Sequence, residues 1–128
     1  MRYTPEYIKE LLPHEIFVFG SNMAGRHGAG AAKQAMTWGA LYGVPSGIMG
    51  QTYGIPTKDY EIKRSLTLME INYFVAQFLK NTSEHQENTF LVTKIGCGLA
   101  GYSPNQIGPL FLNHKLTGNI LLPKEFYC

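Results

Sequence analysis

Apolar residues follow two alternating rhythms along the chain. Continuous β-prone runs at residues 16–19 and 89–93 are the kind that buried parallel strands show. A shorter set, Ile48, Tyr53 and Ile55, predicts one short strand within residues 47–57, and residues 119–122 predict a last one. Between these runs the period lengthens. Ile62, Leu66, Met69, Tyr73 and Ala76, joined by Ile71, Val75, Phe78 and Leu79, recur at helical spacing and predict a long helix over 61–80. Residues 28–41 predict a helix that opens on Gly and Ala, and Pro104 starts another running to about Asn113. Residues 3–12, closed by Pro13, predict a short first helix, and the polar residues 81–88 a loop. Strands alternating with helices imply an α/β fold whose mixed, mostly parallel sheet is covered on both faces.

Composition narrows the class. The 128 residues suit a single domain, 1–128, and hydrophobic residues at 45% against charged residues at 16% exclude disorder. No apolar run approaches the roughly 18 residues that cross a bilayer. Residues 1–9 have no secretory pattern, so no membrane association is expected and the expected compartment is the cytoplasm. The net charge of +2 is spread along the chain without a Lys/Arg cluster, which argues against duplex nucleic acid as partner. Cys97 and Cys128 make neither a disulfide framework nor, with four scattered histidines, a zinc pattern. Neither a metal nor a cofactor is expected.

The 14 glycines change the picture, because they gather at 20–30, 39–54 and 96–101. Two predicted strands therefore end in glycine-rich loops that each lead into a helix. Such loops let backbone N–H groups converge on an anion. Neither matches a Walker A sequence or the G-x-G-x-x-G spacing, and tight turns that need positive φ would produce the same glycines.

In the first loop, Val18-Phe19-Gly20-Ser21-Asn22 runs without a gap into Met23 to Ala32; the second is Ile95-Gly96-Cys97-Gly98-Leu99-Ala100-Gly101-Tyr102. These segments resemble the two ligand loops of macrodomains. Similarity is closer to the terminal ADP-ribose glycohydrolase class, where four motifs occur in order. The counterparts here are Gly28-Ala29-Gly30, Thr57-Lys58, Ser65-Leu66 with Met69, and Ile95 to Leu99. The chain is also similar to small phage-associated macrodomain-like proteins, which would place it in a host cytoplasm. The resemblance implies a three-layer α/β/α macrodomain-like fold and a partner that is ADP-ribose or a related nucleotide, free or protein-linked.

By matching position, Asn22 would contact the distal ribose, while Gly28, Ala29, Gly30, Gly96, Cys97 and Gly98 would hold the diphosphate. Leu99 and Ala100 continue that second loop, and Tyr102 would line the ribose or adenine end. From the residues alone, Asn22 also reads as a turn residue bonding its own backbone, and Cys97 as a small loop residue. Tyr102 and Trp38 also read as core. Gly28 and Gly98 are expected to approach the diphosphate in a conformation of positive φ.

The match departs from the hydrolases at two positions. Ala32 and Ala100 stand where two macrodomain hydrolase classes carry an Asp. Lys58 matches the lysine that attacks the distal ribose, but its amine needs burial or a neighbour to lose a proton. His27 is the substitute acid/base candidate, or else an exposed loop histidine. An acidic residue is expected near the adenine, and Glu15 is the nearest. Three functions follow: a binder of ADP-ribose, an ADP-ribosylhydrolase using Lys58, and an interaction protein with a degenerate pocket.

Overall fold

The computed structural model describes residues 2–127, so Cys128 lies outside the described residues. Its central strand, β1 (Glu15–Asn22), sends alternate side chains into two apolar clusters. Ile16 and Val18 enter one, Phe17 and Phe19 the other. A strand buried on both sides can only sit inside a sheet that is covered on both faces.

β1 is flanked in parallel by β3 (Thr52–Lys58) and β4 (Thr89–Val92). β2 (Gly47–Met49) lies antiparallel outside β3, and β5 (Ile120–Leu121) lies parallel outside β4. The order β2-β3-β1-β4-β5 makes a five-stranded mixed sheet, mostly parallel. The fold class is α/β.

On one face lie α2 (Leu68–Glu84) and α3 (Pro104–Leu112), with a short 3-10 turn at Lys124–Tyr127. Ile71, Val75 and Phe78 of α2 pack with Ile107, Phe111 and Phe126 against the sheet. The opposite face carries α1 (Gly30–Met36), whose Ala32 and Ala35 bring the helix close to Phe17 and Phe19. Trp38 is half-buried there, its ring 4.9 Å from that of Phe17. Among the described residues, no helix is long and apolar enough to cross a membrane.

Several boundaries differ from the sequence reading. Residues 3–12 form no helix. The Thr4 amide donates to Leu122 O at 2.9 Å, and Ile8 and Leu11 lie on the α1 face, so tertiary contacts hold this segment in an irregular path. The strand expected within 47–57 is a hairpin, β2 and β3, turning at Gly50 with φ +56. The helix expected from Gly28 spans only Gly30–Met36.

The long helix starts at Leu68 rather than 61. Thr67 and Glu70 form a reciprocal cap, in which Thr67 N donates to Glu70 Oε1 at 2.8 Å and Glu70 N to Thr67 Oγ1 at 3.1 Å. That cap fixes the helix start, so Ser65 and Leu66 precede the helix. At its other end α2 runs on through Asn81 and Thr82. Asn81 Nδ2 reaches Tyr53 OH at 2.8 Å, and Thr82 Oγ1 donates to Leu79 O within the helix. Polar residues that read as loop are there spent on internal hydrogen bonds.

Candidate functional site

The crossover after β1 leaves towards β3 and passes over one face, while that after β4 leaves towards β5 and passes over the other. Adjacent strands whose connections part in this way open a crevice at their carboxyl ends. A cleft of about 750 Å³ occupies that place, within the range of roughly 300–1,000 Å³ typical of ligand sites.

Its walls are the ends of the three central strands and both glycine-rich loops. Gly20, Ser21 and Asn22 end β1; Thr57 and Lys58 end β3; Thr93, Lys94 and Ile95 follow β4. Gly28, Ala29 and Gly30 line it from the first loop, with Ala31 and Ala32 behind them, and Gly96, Gly98, Leu99 and Ala100 from the second. The fold thus gathers Asn22, Lys58 and two segments some 70 residues apart into one cavity.

Local bonding explains the shape of the first loop. The Asn22 carboxamide brackets Arg26, accepting its N–H at 2.9 Å and donating to its carbonyl at 2.8 Å, while Gly25 N donates to Asn22 O. Asn22 is thereby a turn residue and also a cleft residue. Gly25, at φ +68, is pressed against the 43–44 backbone, and a Cβ there would sit 2.4 Å from Val44 N. Beyond this turn the amides of residues 28–32 donate to no protein acceptor among the described residues. These five residues line the cavity.

The second loop turns on Gly96 and Gly101, at φ +73 and +84. A Cβ on Gly96 would meet Ile107 Cδ1 at 2.9 Å, so the loop lies directly on α3. Gly101 N bonds to Gly98 O and Tyr102 N to Gly96 O, leaving the amides of Gly98, Leu99 and Ala100 without a protein acceptor among the described residues. Gly28 and Gly98 are not in the left-handed region, contrary to the sequence expectation, and a Cβ on either would meet open space. Positive φ belongs instead to Gly25, Gly30, Gly96 and Gly101.

Three basic side chains, Arg26, Lys58 and Lys94, line the cleft, and no Asp or Glu does. Lys94 also reaches Glu125 at 3.5 Å in a half-exposed pair. No local sequence pattern marks Arg26 or Lys94 as site residues. Only the fold brings residues 26, 58 and 94 together.

Other expected site residues lie elsewhere. His27 is almost fully buried beneath the first loop rather than exposed. Its Nε2–H donates to Leu41 O at 2.9 Å and Val44 O at 3.2 Å, and its ring stands edge-on to Phe19 at 5.2 Å. It is not among the cleft-lining residues. Nor are Tyr102, which packs on the α3 side and donates its hydroxyl to Leu66 O at 2.5 Å, or Cys97. Burial pushes the Cys97 thiol up from its ordinary value; Lys94 opposes this in part and Glu125 adds to it. The thiol is protonated at neutral pH, unlike a reactive cysteine. Glu15 accepts Leu12 N at 2.8 Å at the amino end of β1, the end opposite the cleft. No three His, Cys, Asp or Glu side chains gather as a metal site among the described residues.

A second hollow, about 410 Å³, shares Ala31, Thr93 and Lys94 with the cleft and extends it toward Tyr3, Pro5 and Ile8. Comparison of the chain with protein-family models, curated proteins and solved structures finds no match.

Proposed function

We propose that the protein binds ADP-ribose or a closely related nucleotide, free or protein-linked, in the cleft between its two glycine-rich loops. One observation carries this reading: loop residues whose amides have no protein acceptor among the described residues line one cavity together with Arg26, Lys58 and Lys94, and no described Asp or Glu is in its wall. Such a surface has donors and positive charge and lacks the acceptors that would repel an anion. The resemblance of both loops to those of macrodomains supports a nucleoside diphosphate carrying a second sugar. In that pose the diphosphate lies between residues 28–30 and 96–98, the distal ribose lies beside Asn22 and Lys58, and the hollow near Tyr3 and Ile8 takes the adenosine end.

Calorimetric titration with ADP-ribose, ADP, AMP and NAD tests the reading. AMP lacks the second phosphate and the distal sugar, which forfeits two or three charge-assisted hydrogen bonds of about 1.5–3 kcal/mol each. Its affinity is expected to be well over tenfold weaker than that of ADP-ribose. Equal affinities, or none for either ligand, would sink the proposal.

Turnover is expected to be weak or absent. Lys58 lines the cleft, yet no carboxylate does, and His27 Nε2 is engaged by two carbonyls. A general acid/base contribution of about 100- to 10,000-fold is missing. Release of ADP-ribose from a modified protein should fall to background in Lys58→Ala. Robust turnover that survives this change would refute the role carried by the resemblance.

A further inference from the structure

Among the described residues, Ile62 is the one non-glycine residue in the left-handed region, at φ +60. A β-branched side chain is poorly suited to that conformation, since Cβ crowds the backbone carbonyl. Such a conformation persists only where the surroundings over-determine it.

Here they do. An antiparallel bridge between Lys58 and Ser65 closes the turn, and Leu66 N donates to Thr57 O at 2.8 Å. Inside it the Asp59 carboxylate accepts Lys63 N at 2.9 Å and Arg64 N at 3.2 Å, while Asp59 N donates to Arg64 O and Ile62 N to Asp59 O. Two further bonds tie the end of the turn to the second glycine-rich loop: Ser65 Oγ to Ala100 O at 2.6 Å, and Tyr102 OH to Leu66 O. The product of this scaffold is one branched aliphatic side chain in the cleft wall, on the turn that follows Lys58.

We infer that Ile62 is a specificity-determining residue: it forms the apolar wall against which the sugar on the second phosphate packs, so that the cleft selects a nucleoside diphosphate bearing a terminal sugar over the bare diphosphate. This rests on the nucleotide-binding reading above. The sugar ring has an apolar C–H face as well as hydroxyls, and the cleft wall carries apolar side chains, among them Tyr42, Ile95 and Leu99, besides its loop backbone and its basic residues. Ile62 is the apolar residue of that wall held on the turn directly after Lys58, where it offers the sugar an aliphatic surface and excludes water from the same end. The strained turn is the means of placing it there.

Ile62→Gly and Ile62→Asn separate this role from a packing role, because both residues accept the left-handed region and both remove the aliphatic wall. Each variant is expected to melt at or above the wild-type temperature. Affinity for ADP-ribose should fall about tenfold or more, while affinity for ADP, which ends at the second phosphate, should change less than about twofold. Unchanged affinity for ADP-ribose, or equal losses for ADP and ADP-ribose, would overturn the inference. So would melting temperatures lower by more than roughly 5 °C, the scale of about 1 kcal/mol in a domain of this size, since Ile62 would then be serving the core. Wild-type protein that binds neither ligand refutes the nucleotide reading itself and the inference with it. Wild-type protein that binds ADP-ribose while both variants match it refutes the inference alone.

Discussion

Gly98→Glu is expected to abolish ADP-ribose binding while leaving the fold intact, and Gly28→Glu to do the same from the opposite wall. Both glycines are exposed in the cleft, neither has a left-handed φ, and a Cβ on either meets nothing within 4 Å. The backbone therefore accepts a side chain. Ligand binding does not, for two reasons. The new side chain takes the space where a diphosphate would approach the loop amides. Its carboxylate also meets the phosphates at close range, where two like charges about 4 Å apart at an effective dielectric near 20 repel by roughly 4 kcal/mol. The same carboxylate competes for Arg26, Lys58 and Lys94. A loss of at least about 100-fold in affinity is expected, or roughly 2.7 kcal/mol, with the melting temperature within a few degrees of wild type. Calorimetry and thermal melting on the same samples read both. Unchanged affinity in either variant would show that the ligand does not sit between the loops. Gly96→Glu makes the contrasting control, because Gly96 lies at φ +73 against Ile107 and its replacement should cost stability.

Phe78→Ala is expected to destabilise the fold severely. Phe78 is fully buried on the inner face of α2 and stands edge-on to three rings, with centroids at 5.0 Å from Tyr53, 5.6 Å from Phe90 and 6.0 Å from Phe111. It thus joins α2 to strands β3 and β4 and to α3. Removing the ring loses its transfer free energy and leaves a cavity whose walls belong to four elements that cannot all collapse inward. Such changes cost about 3–5 kcal/mol, a large share of the 5–15 kcal/mol that holds a typical domain together. Urea unfolding should show the midpoint falling with little change in slope. A loss below about 1 kcal/mol would mean that this cluster is not the centre of the core. The cleft lies at the carboxyl ends of the strands, away from this ring, so the folded fraction should keep its affinity for ADP-ribose.

Local periodicity was enough to find the strands at 16–19 and 89–93, the helix opening at Pro104 and the last strand, because continuous apolar runs and an N-terminal proline constrain the backbone over a few residues. The glycine clusters likewise marked both loops of the cleft, since chain reversals and open backbone depend on residue type. What the sequence could not decide were the outcomes set by distant partners. The path of residues 3–12 depends on Leu121 and Leu122 more than a hundred positions away. Ile62 fits a helical period in the sequence, yet the structure puts it in the cleft wall at a φ that no pattern of apolar residues encodes. His27 could be read as exposed because burial of a loop histidine depends on what folds beneath it, here the carbonyls of Leu41 and Val44. Most of all, a charge count sees Arg26, Lys58 and Lys94 as dispersed. They become one electropositive site only when parallel strands bring three chain reversals to the same end of the sheet, because that convergence is a property of strand order and not of any local stretch.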